Sequence, residues 1–452
     1  MSNKNNKAMS TTSVDLLCLI AVIIAASSIQ HSVQAAFITP ILKDQKTLQY
    51  TTTIELQTPL RPTKLVIDLG AQFSWVNCQS GYNSTTYAQT TCNSTLCTAL
   101  NSFACSNCYT PPAPDCGNFT CALFPENPIS NNASIDNAII DRLSVPTTPS
   151  NRQTLISHFV FSCSKTYMLT DLAQNATGML ALGRANFSFP PQLARFASLP
   201  NIFSLCLSPS TTLPGFGLFA SAAPNSILDG NNLSKTLTLT YTPLILNPFS
   251  DTIITYALHP SFNYFINLTS ISINGHNLPL NQSLLSIDPN TGLGGTKIST
   301  LEPYIVIQPP SIYNTFVSAF ESAASAMNLT SASPIKPFKV CYYANSTSVT
   351  ESGSPLVPII ELGLGNGVKW SVDGANVVVS VKKGKKSRRW CLGVVEKGVV
   401  VTERAAVVVG GLLVEDNVVE FDLVRLRFGF SGNLGAEGTS CAAAAASGGD
   451  GV

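Results

Sequence analysis

One stretch near the start of the chain constrains the fold more than any other. Leu65–Ile67 is an apolar segment that runs into Asp68 and Gly70, and a second apolar segment then ends at Cys78. Two apolar runs separated by an acidic residue and a glycine predict a strand, a tight turn and a second strand. The turn therefore places one carboxylate, that of Asp68, between two buried strands.

The rest of the chain predicts a mainly β protein. From Leu48 onward, short runs rich in Thr, Val, Ile and Phe alternate with Pro, Gly, Asn and Ser, which is typical of strands joined by turns. Helices are predicted at Pro191–Ala197 and at Ser311–Met327, where apolar residues recur at helical spacing. With 452 residues, the chain has room for about two or three domains.

The Asp68 turn resembles the first active-site turn of pepsin-like aspartic proteases, which carry Asp-Thr-Gly or Asp-Ser-Gly there. In this chain Leu69 stands at the hydroxyl position and Ala71 at the serine position that follows the glycine. Pepsin-like proteins have two similar lobes, and the second half of the chain repeats the plan in outline. The resemblance implies a mainly β, bilobal pepsin-like acid-protease fold.

The counterpart of the Asp68 turn lies within Gly294–Tyr304. Tyr264–Leu268 precedes it in the family's strand pattern, and Val407–Leu413 is similar to the family's second hydrophobic-glycine loop. Ser299 stands where the family's second catalytic aspartate belongs, and the glycine that should follow it is missing. The resemblance thus covers both lobes but leaves only one of the two carboxylates.

Composition and patterning divide the chain into four expected segments. They are a signal peptide at 1–35, an N-terminal pepsin-like lobe with a Cys-rich insertion at 36–240, a C-terminal lobe at 241–441 and a disordered, low-complexity tail at 442–452. Removing the signal peptide leaves 24 basic and 24 acidic residues, a balance that favours neither nucleic acid nor an anionic membrane as a partner. We expect a protein secreted to the extracellular space.

Twelve cysteines follow the signal peptide, an even number typical of disulfides in an oxidising compartment. They are Cys78, Cys92, Cys97, Cys105, Cys108, Cys116, Cys121, Cys163, Cys206, Cys341, Cys391 and Cys441. The pair Cys105-x-x-Cys108 would also suit zinc, but no second close pair or histidine pair follows at ligand spacing. We therefore predict six disulfides, and neither a metal nor a cofactor.

Asn-x-Ser/Thr triplets recur throughout the chain and, behind a signal peptide, predict N-glycosylated surface loops. They start at Asn83, Asn93, Asn118, Asn132, Asn175, Asn186, Asn232, Asn267, Asn281, Asn328 and Asn345.

The sequence retains too little of the catalytic machinery for pepsin-type chemistry. Such a site needs two carboxylates that share one proton, and losing a positioned acid or base costs about a hundred- to ten-thousand-fold in rate. Where the family has a flap tyrosine, the sequence has Phe124–Pro128 and no tyrosine. We interpret Asp68 and Ser299 as vestigial: Asp68 accepts backbone hydrogen bonds in its turn, and Ser299 is a turn residue.

Four stretches resemble one plant branch of the family, which contains extracellular dermal glycoproteins, xyloglucan-specific endoglucanase inhibitors and basic 7S globulins. They are Phe124–Pro128, Gly292–Thr300, Cys391–Val395 and Glu415–Asn417. The resemblance implies an inactive protease homologue of the plant cell wall that inhibits microbial glycoside hydrolases in defence. It also implies a disulfide between Cys341 and Cys391.

The same resemblance points to Arg404 as the inhibitory contact. A glycosidase cleft carries two carboxylates, and an arginine can bind a carboxylate through two hydrogen bonds. In the dermal glycoprotein pattern a basic residue lies on the loop before the closing hydrophobic-glycine strand, and Arg404 occupies that loop. The expected partner is a microbial endoglucanase or a related glycoside hydrolase. The family's other contact region, at Asn328–Ser331, has no arginine here.

Two other functions remain open: a storage or ligand-binding role, as the globulin resemblance implies, and weak aspartic protease activity. The basic run Lys382–Arg389 suits an anionic wall polysaccharide or an acidic partner, but a solvated hairpin tip is the favoured interpretation.

Overall fold

The computed structural model describes residues 36–148, 150–228, 233–254, 259–383, 387–396 and 403–446. The predicted signal peptide at 1–35 lies outside these ranges, as do 447–452 of the predicted tail. Strands form most of the regular structure, which confirms the predicted mainly β class. No helix in the described ranges is long and apolar enough to cross a membrane.

Among the described residues of the first half, the regular elements are mostly strands, with two α-helices. The strands are β1 Phe37–Lys43, β2 Tyr50–Leu56, β3 Arg61–Asp68, β4 Trp75–Asn77, β5 Ala88–Gln89, β6 Cys105–Ser106, β7 Thr120–Leu123, β8 Glu126–Asn127, β9 Asn132–Ala133, β10 Asp136–Thr147, β11 Arg152–Ser164, β12 Gly178–Ala181, β13 Ile202–Cys206, β14 Gly215–Phe219, β15 Ser226–Leu228 and β16 Ser234–Thr236. The helices are α1 Thr95–Ala99 and α2 Phe189–Ala197.

The second half has the same character. Its strands are β17 Thr240–Ile245, β18 Tyr264–Ile266, β19 Leu268–Ile273, β20 His276–Asn277, β21 Thr296–Ile298, β22 Ile305–Ile307, β23 Ser331–Ala332, β24 Cys341–Tyr343, β25 Ile360–Leu364, β26 Lys369–Val372, β27 Val378–Lys383, β28 Ser387–Leu392, β29 Val394–Glu396, β30 Val407–Val409, β31 Val418–Asp422 and β32 Arg427–Phe430. Its helices are α3 Gln282–Leu285, α4 Pro310–Ala326, α5 Gly411–Val414 and α6 Cys441–Ala446.

Each lobe contains the same crossing of four strands. In the first lobe β12 runs parallel to β3 and antiparallel to β4, and β4 runs parallel to β11. In the second lobe β30 runs parallel to β21 and antiparallel to β22, and β22 runs parallel to β29. This internal repeat is the bilobal plan that the sequence resemblance predicted.

A sheet shared by both lobes joins them, in the order β17-β32-β31-β13-β14-β1. The junction is the pairing of β13 with β31, where Phe203 lies opposite Phe421. Their rings stack with centroids 4.7 Å apart, and Tyr264 packs on Phe421 at 4.5 Å. Aromatic burial on both sides of the junction therefore fixes the two lobes on one continuous core.

Local sequence explains the elements nearest the cleft. Strands β2 and β3 form a hairpin, with Thr51 opposite Val66. Helix α4 starts at Pro310, a residue that suits the first helical turn, and it buries Ile312, Phe316 and Phe320 at four-residue spacing. The predicted helix at 311–327 is thus confirmed with each bound shifted by one residue.

The twelve cysteines form six disulfides, as predicted. The pairs are Cys78–Cys163, Cys92–Cys105, Cys97–Cys121, Cys108–Cys116, Cys206–Cys441 and Cys341–Cys391. The last pair is the one that the family resemblance implied. Because Cys105 and Cys108 belong to two different disulfides, neither is available as a zinc ligand.

Part of the segment expected to be disordered is a helix. Cys441–Ala446 forms α6. Ala444 of this helix is fully buried in a small core that includes Cys206. The disulfide from Cys206 ties the start of α6 to β13, so its alanines pack against protein. The prediction of disorder is therefore wrong for residues 442–446, because low sequence complexity carries no information on the Cys206–Cys441 disulfide.

Removing the Cys206–Cys441 disulfide should destabilise the protein more than removing the short Cys108–Cys116 disulfide. The first closes a separation of 235 residues and the second one of 8, and the entropy removed from the unfolded chain grows with loop length. We expect Cys206→Ala/Cys441→Ala to lower the free energy of unfolding by about 2–5 kcal/mol. Denaturant titration with Cys108→Ala/Cys116→Ala as the control measures this, and an equal loss in both variants would contradict it.

Candidate functional site

The site lies where the Asp68 turn and the Ser299 turn meet between the lobes. The Thr300 hydroxyl, which is 1% exposed, donates a hydrogen bond of 2.8 Å to the carbonyl of Ile67 and lies 3.4 Å from the N–H of Leu69. Asp68 and Ser299 both line one cavity of about 260 Å³. The structure therefore brings together the two turns that the sequence singled out.

Asp68 is buried, with 4% of its surface exposed. Its Oδ1 accepts a hydrogen bond of 2.7 Å from the N–H of Gly70. Burial raises the pKa of Asp68 to about 6, although the Gly70 N–H and the charge of Lys297 act in the opposite direction. Asp68 thus has the hydrogen bonding of a turn carboxylate together with an environment that favours its protonated form.

The Ser299 side chain closes its own turn. Its hydroxyl accepts hydrogen bonds from the N–H groups of Leu301, at 3.1 Å, and Glu302, at 3.4 Å. This is the local side-chain-to-backbone bonding that serine offers in turns. The Ser299 hydroxyl in the cavity wall is therefore held by the backbone of its own turn.

A buried lysine that sequence analysis did not single out organises the second-lobe side of the cavity. Lys297 forms ion pairs with Asp251, at 3.0 Å, and Glu403, at 2.7 Å. Burial acts to lower the pKa of Lys297, but the two carboxylates outweigh it and raise that pKa above its ordinary value. One signal could have revealed this lysine: it lies on strand β21 two residues before the Ser299 turn, and residues two apart along a strand share a face.

Asn263 links this ion cluster to the Asp68 turn. Its Nδ2 donates to both carboxylate oxygens of Asp251, at 2.8 and 2.9 Å. Its Oδ1 lies only 2.4 Å from where a Cβ on residue 70 would stand, so this approach requires Gly70. The glycine of the Asp68 turn is thus retained by packing against the other lobe.

The Phe124–Pro128 segment contacts both lobes across the cavity. The Glu126 carbonyl accepts a hydrogen bond of 3.0 Å from the Trp75 indole N–H, and its Oε1 accepts one of 3.0 Å from the N–H of Ile254. Burial raises the pKa of Glu126 to about 7, against the lowering effect of the backbone N–H groups of Ile254 and Ile253. A second carboxyl group with a raised pKa therefore lines the cavity.

Arg404 is half-buried and is held by neutral groups of its own chain. Its Nε donates to the carbonyl of Ser250 at 2.9 Å, and its Nη1 donates to that of Thr291 at 2.7 Å. The guanidinium carbon lies 5.8 Å from the centre of the Phe249 ring. Within the described ranges, no carboxylate lies within ion-pairing distance of it.

The predicted glycosylation sites are accessible where the structure describes them. Asn132 is half-exposed, and the other nine described sequon asparagines are exposed. Asn232 lies outside the described residues. Glycosylation of these residues stays a prediction.

The described residues of the basic run Lys382–Arg389 lie on the two paired strands of a hairpin. β27 pairs with β28, residues 384–386 lie outside the described ranges, and Lys382 and Arg388 are exposed. Arg389 is 7% exposed and donates to the carbonyl and the hydroxyl of Ser333. Arg389 therefore belongs to the hairpin's packing, so fewer charges of the run face solvent than the sequence suggested.

Comparison with known proteins agrees with this geometry. The family models named Xylanase inhibitor N-terminal and Xylanase inhibitor C-terminal match residues 50–219 and 263–432. The probable aspartic proteinase GIP1 of Glycine max is 42% identical over 410 residues, which cover 90% of this chain and 91% of that protein. Basic 7S globulin of Glycine max is 32% identical over 411 residues, which cover 89% of this chain and 90% of that protein.

The crystal structure of edgp superposes with a TM-score of 0.85 at 40% identity and covers 90% of this chain and 97% of that chain. The fold and its paired turns define a protein of the pepsin-like aspartic proteinase class. The chain belongs to the xylanase-inhibitor family within that class, together with the basic 7S globulin homologues.

The raised pKa values predict that the folded protein is more stable at pH 5 than at pH 7.5. Asp68 titrates near 6 and Glu126 near 7 when folded, against ordinary values of 3.8 and 4.5. Between those values the folded state binds more protons than the unfolded state, so stability present at low pH is lost as pH rises through the folded pKa. Melting temperatures across this range measure the effect.

Asp68→Asn and Glu126→Gln should each make the melting temperature less dependent on pH, because each removes a group that resists ionisation when buried. Glu351→Gln, at an exposed carboxylate, is the control and should leave the dependence unchanged. A wild-type protein that becomes more stable from pH 5 to 7.5 would refute the assignment.

Proposed function

We propose that this protein is a secreted, glycosylated and catalytically inactive aspartic protease homologue that binds and inhibits microbial glycoside hydrolases. The target class is the xyloglucan-specific endo-β-1,4-glucanase, and the setting is defence in the plant cell wall. One observation carries the proposal: Arg404 is a fixed cation whose charge no described carboxylate neutralises. The matched family models, named for xylanase inhibitors, support a glycoside hydrolase as the partner class.

The cavity supports the inactive part of the proposal. A pepsin-type mechanism needs two carboxylates that share a proton, one as base and one as acid. Asp68 faces a turn whose Ser299 hydroxyl is bonded to backbone. Glu126 is a second acidic group, but it is engaged by the N–H of Ile254 from the other lobe. We therefore assign Asp68 a structural role.

The fixed geometry of Arg404 suits an inhibitor. Two carbonyl groups and an aromatic ring restrict the side chain before any partner binds, so less side-chain entropy is lost on association. Neutral carbonyls leave the positive charge for the carboxylates of a hydrolase cleft, which arginine matches in shape and charge. The neighbouring Leu293, which is 54% exposed, adds apolar surface beside this cation.

Secretion rests on several consistent features. The N-terminal pattern of Lys4 and Lys7 before an apolar run is that of a signal peptide, and six disulfides are typical of an oxidising compartment. Exposed sequon asparagines fit glycosylation on that route.

A storage or ligand-binding role is the second candidate. The similarity to basic 7S globulin over 89% of the chain favours it. One experiment distinguishes inhibition from storage, because a storage protein would inhibit no hydrolase at stoichiometric concentration.

The direct test is titration of the purified, glycosylated protein into microbial endoglucanases and xylanases. We expect stoichiometric loss of activity with one xyloglucan-specific endoglucanase, and inhibition weakened about tenfold or more by Arg404→Ala, because buried interface arginines are frequent hot spots. Arg404→Lys should restore inhibition only in part, since it keeps the charge but loses the paired donors.

Arg61→Ala, which removes an exposed arginine of the first lobe, is the matched control. Melting temperatures of all variants separate lost binding from lost folding. Wild-type protein without effect on any enzyme of the panel would refute the inhibitor function and favour storage.

Asp68→Asn should leave inhibition unchanged within about twofold, because inhibition uses no catalytic carboxylate. The wild-type protein should also show no pepstatin-sensitive cleavage of an unfolded protein substrate at pH 3–5, the range in which a carboxylate pair would work. Cleavage abolished by both pepstatin and Asp68→Asn would instead establish a weak protease.

A further inference from the structure

Arg404 and the neighbouring Leu293 form what we call the Arg404 surface. The strongest unexplained feature outside it is the ion cluster of Lys297, Asp251 and Glu403. Lys297 is 8% exposed, and its ammonium lies 3.0 Å from Asp251 and 2.7 Å from Glu403. The two carboxylates are partly buried, and withdrawing charged groups from water is unfavourable unless their geometry is well defined. An ion cluster of this kind therefore fits a role that depends on fixed geometry.

The cluster holds both chain segments that meet at Arg404. Glu403 is the residue before Arg404, and Asp251 is the residue after Ser250, whose carbonyl accepts the Arg404 Nε–H at 2.9 Å. The two ion pairs thus flank the Arg404–Ser250 hydrogen bond, one on each segment. A single ammonium fixes the distance between the segments.

The two glycines just before the strand that carries Lys297 also hold the backbone around Arg404. The N–H of Gly294 donates to the Arg404 carbonyl at 2.9 Å, and the N–H of Ala406 donates to the carbonyl of Gly295 at 3.0 Å. The N–H of Ala405 donates to Glu403 Oε1 at 3.0 Å. Any displacement of Glu403 therefore changes the backbone on both sides of Arg404.

We propose that Lys297 is a positioning residue that sets the Arg404 surface from inside the former catalytic cavity. This inference rests on the proposed inhibitory function of Arg404. Lys297 makes no contact with the hydrolase; it acts by clamping Asp251 and Glu403, and so the guanidinium is presented in one orientation. The cavity between the lobes has in this way become the internal support of an external binding surface.

A double-mutant cycle tests the proposal on the full-length glycoprotein. Lys297→Met should weaken inhibition of the endoglucanase about tenfold, the scale of coupling through packed networks. In an Arg404→Ala background the same substitution should have little further effect, because Lys297 acts through Arg404. Equal effects in both backgrounds would overturn the proposal.

Three further variants guard against simple misfolding. Lys297→Arg keeps the cation and should restore most inhibition. Lys297→Met/Asp251→Asn/Glu403→Gln leaves no unpaired buried charge and should fold, yet inhibit as weakly as Lys297→Met. Lys369→Met, at an exposed lysine that pairs with Glu361 at 3.4 Å, is the control and should inhibit normally. Wild-type inhibition by the triple variant would overturn the proposal.

Amide hydrogen exchange gives a readout that needs no hydrolase. The N–H groups of Gly294 and Ala405 should exchange about tenfold faster in Lys297→Met than in the wild-type protein, while amides of the first-lobe core stay unchanged. If the wild-type protein inhibits nothing but these amides respond, the proposed function fails and the clamp stands. Unchanged exchange would refute the clamp even if Arg404 inhibits.

Discussion

Burial of charge at the lobe junction is the constraint on which the rest of this structure depends. The cavity wall carries five carboxyl groups and one lysine among its described residues: Asp68, Glu126, Asp251, Glu302, Glu403 and Lys297. A buried charge is tolerated when it is paired or when its pKa shifts. Two of the carboxylates are paired with Lys297, whereas Asp68 and Glu126 have raised pKa values. The ion pairs form within the second lobe, whereas Glu126 reaches across the cavity to the N–H of Ile254.

The two lobes share one strand architecture, but their turns carry different residues, Asp68 in the first and Ser299 in the second. The same four-strand crossing occurs in both lobes, because it buries apolar strands on both faces whatever the turns contain. The Thr300 hydroxyl still bridges to Ile67 of the other lobe, although Leu69 offers no hydroxyl in return. The turns are thus maintained by packing and hydrogen bonding, which do not require a second carboxylate.

The sequence was informative wherever a feature is local. The Asp68 turn and helix α4 follow from patterns within a few residues, and resemblance to a known family supplied the bilobal plan. The partners of Lys297 could not be predicted, because Asp251 and Glu403 lie far from it in sequence and each could equally be a surface carboxylate. Arg404 was identified by its loop, but its acceptors are carbonyl groups, which no side-chain pattern reveals.

Lys297 interacts with both the retained carboxylate Asp68 and the two residues that flank the proposed Arg404 contact. A shared-proton dyad needs one carboxyl group to stay protonated, and the charge of Lys297 acts to lower the pKa of Asp68. The cation that holds Asp251 and Glu403 in place therefore also acts on Asp68, but burial outweighs it and raises the pKa of Asp68 to about 6. In the proposed inhibitor, Lys297 therefore serves the support of Arg404 through its two carboxylate partners, while burial governs the protonation of Asp68.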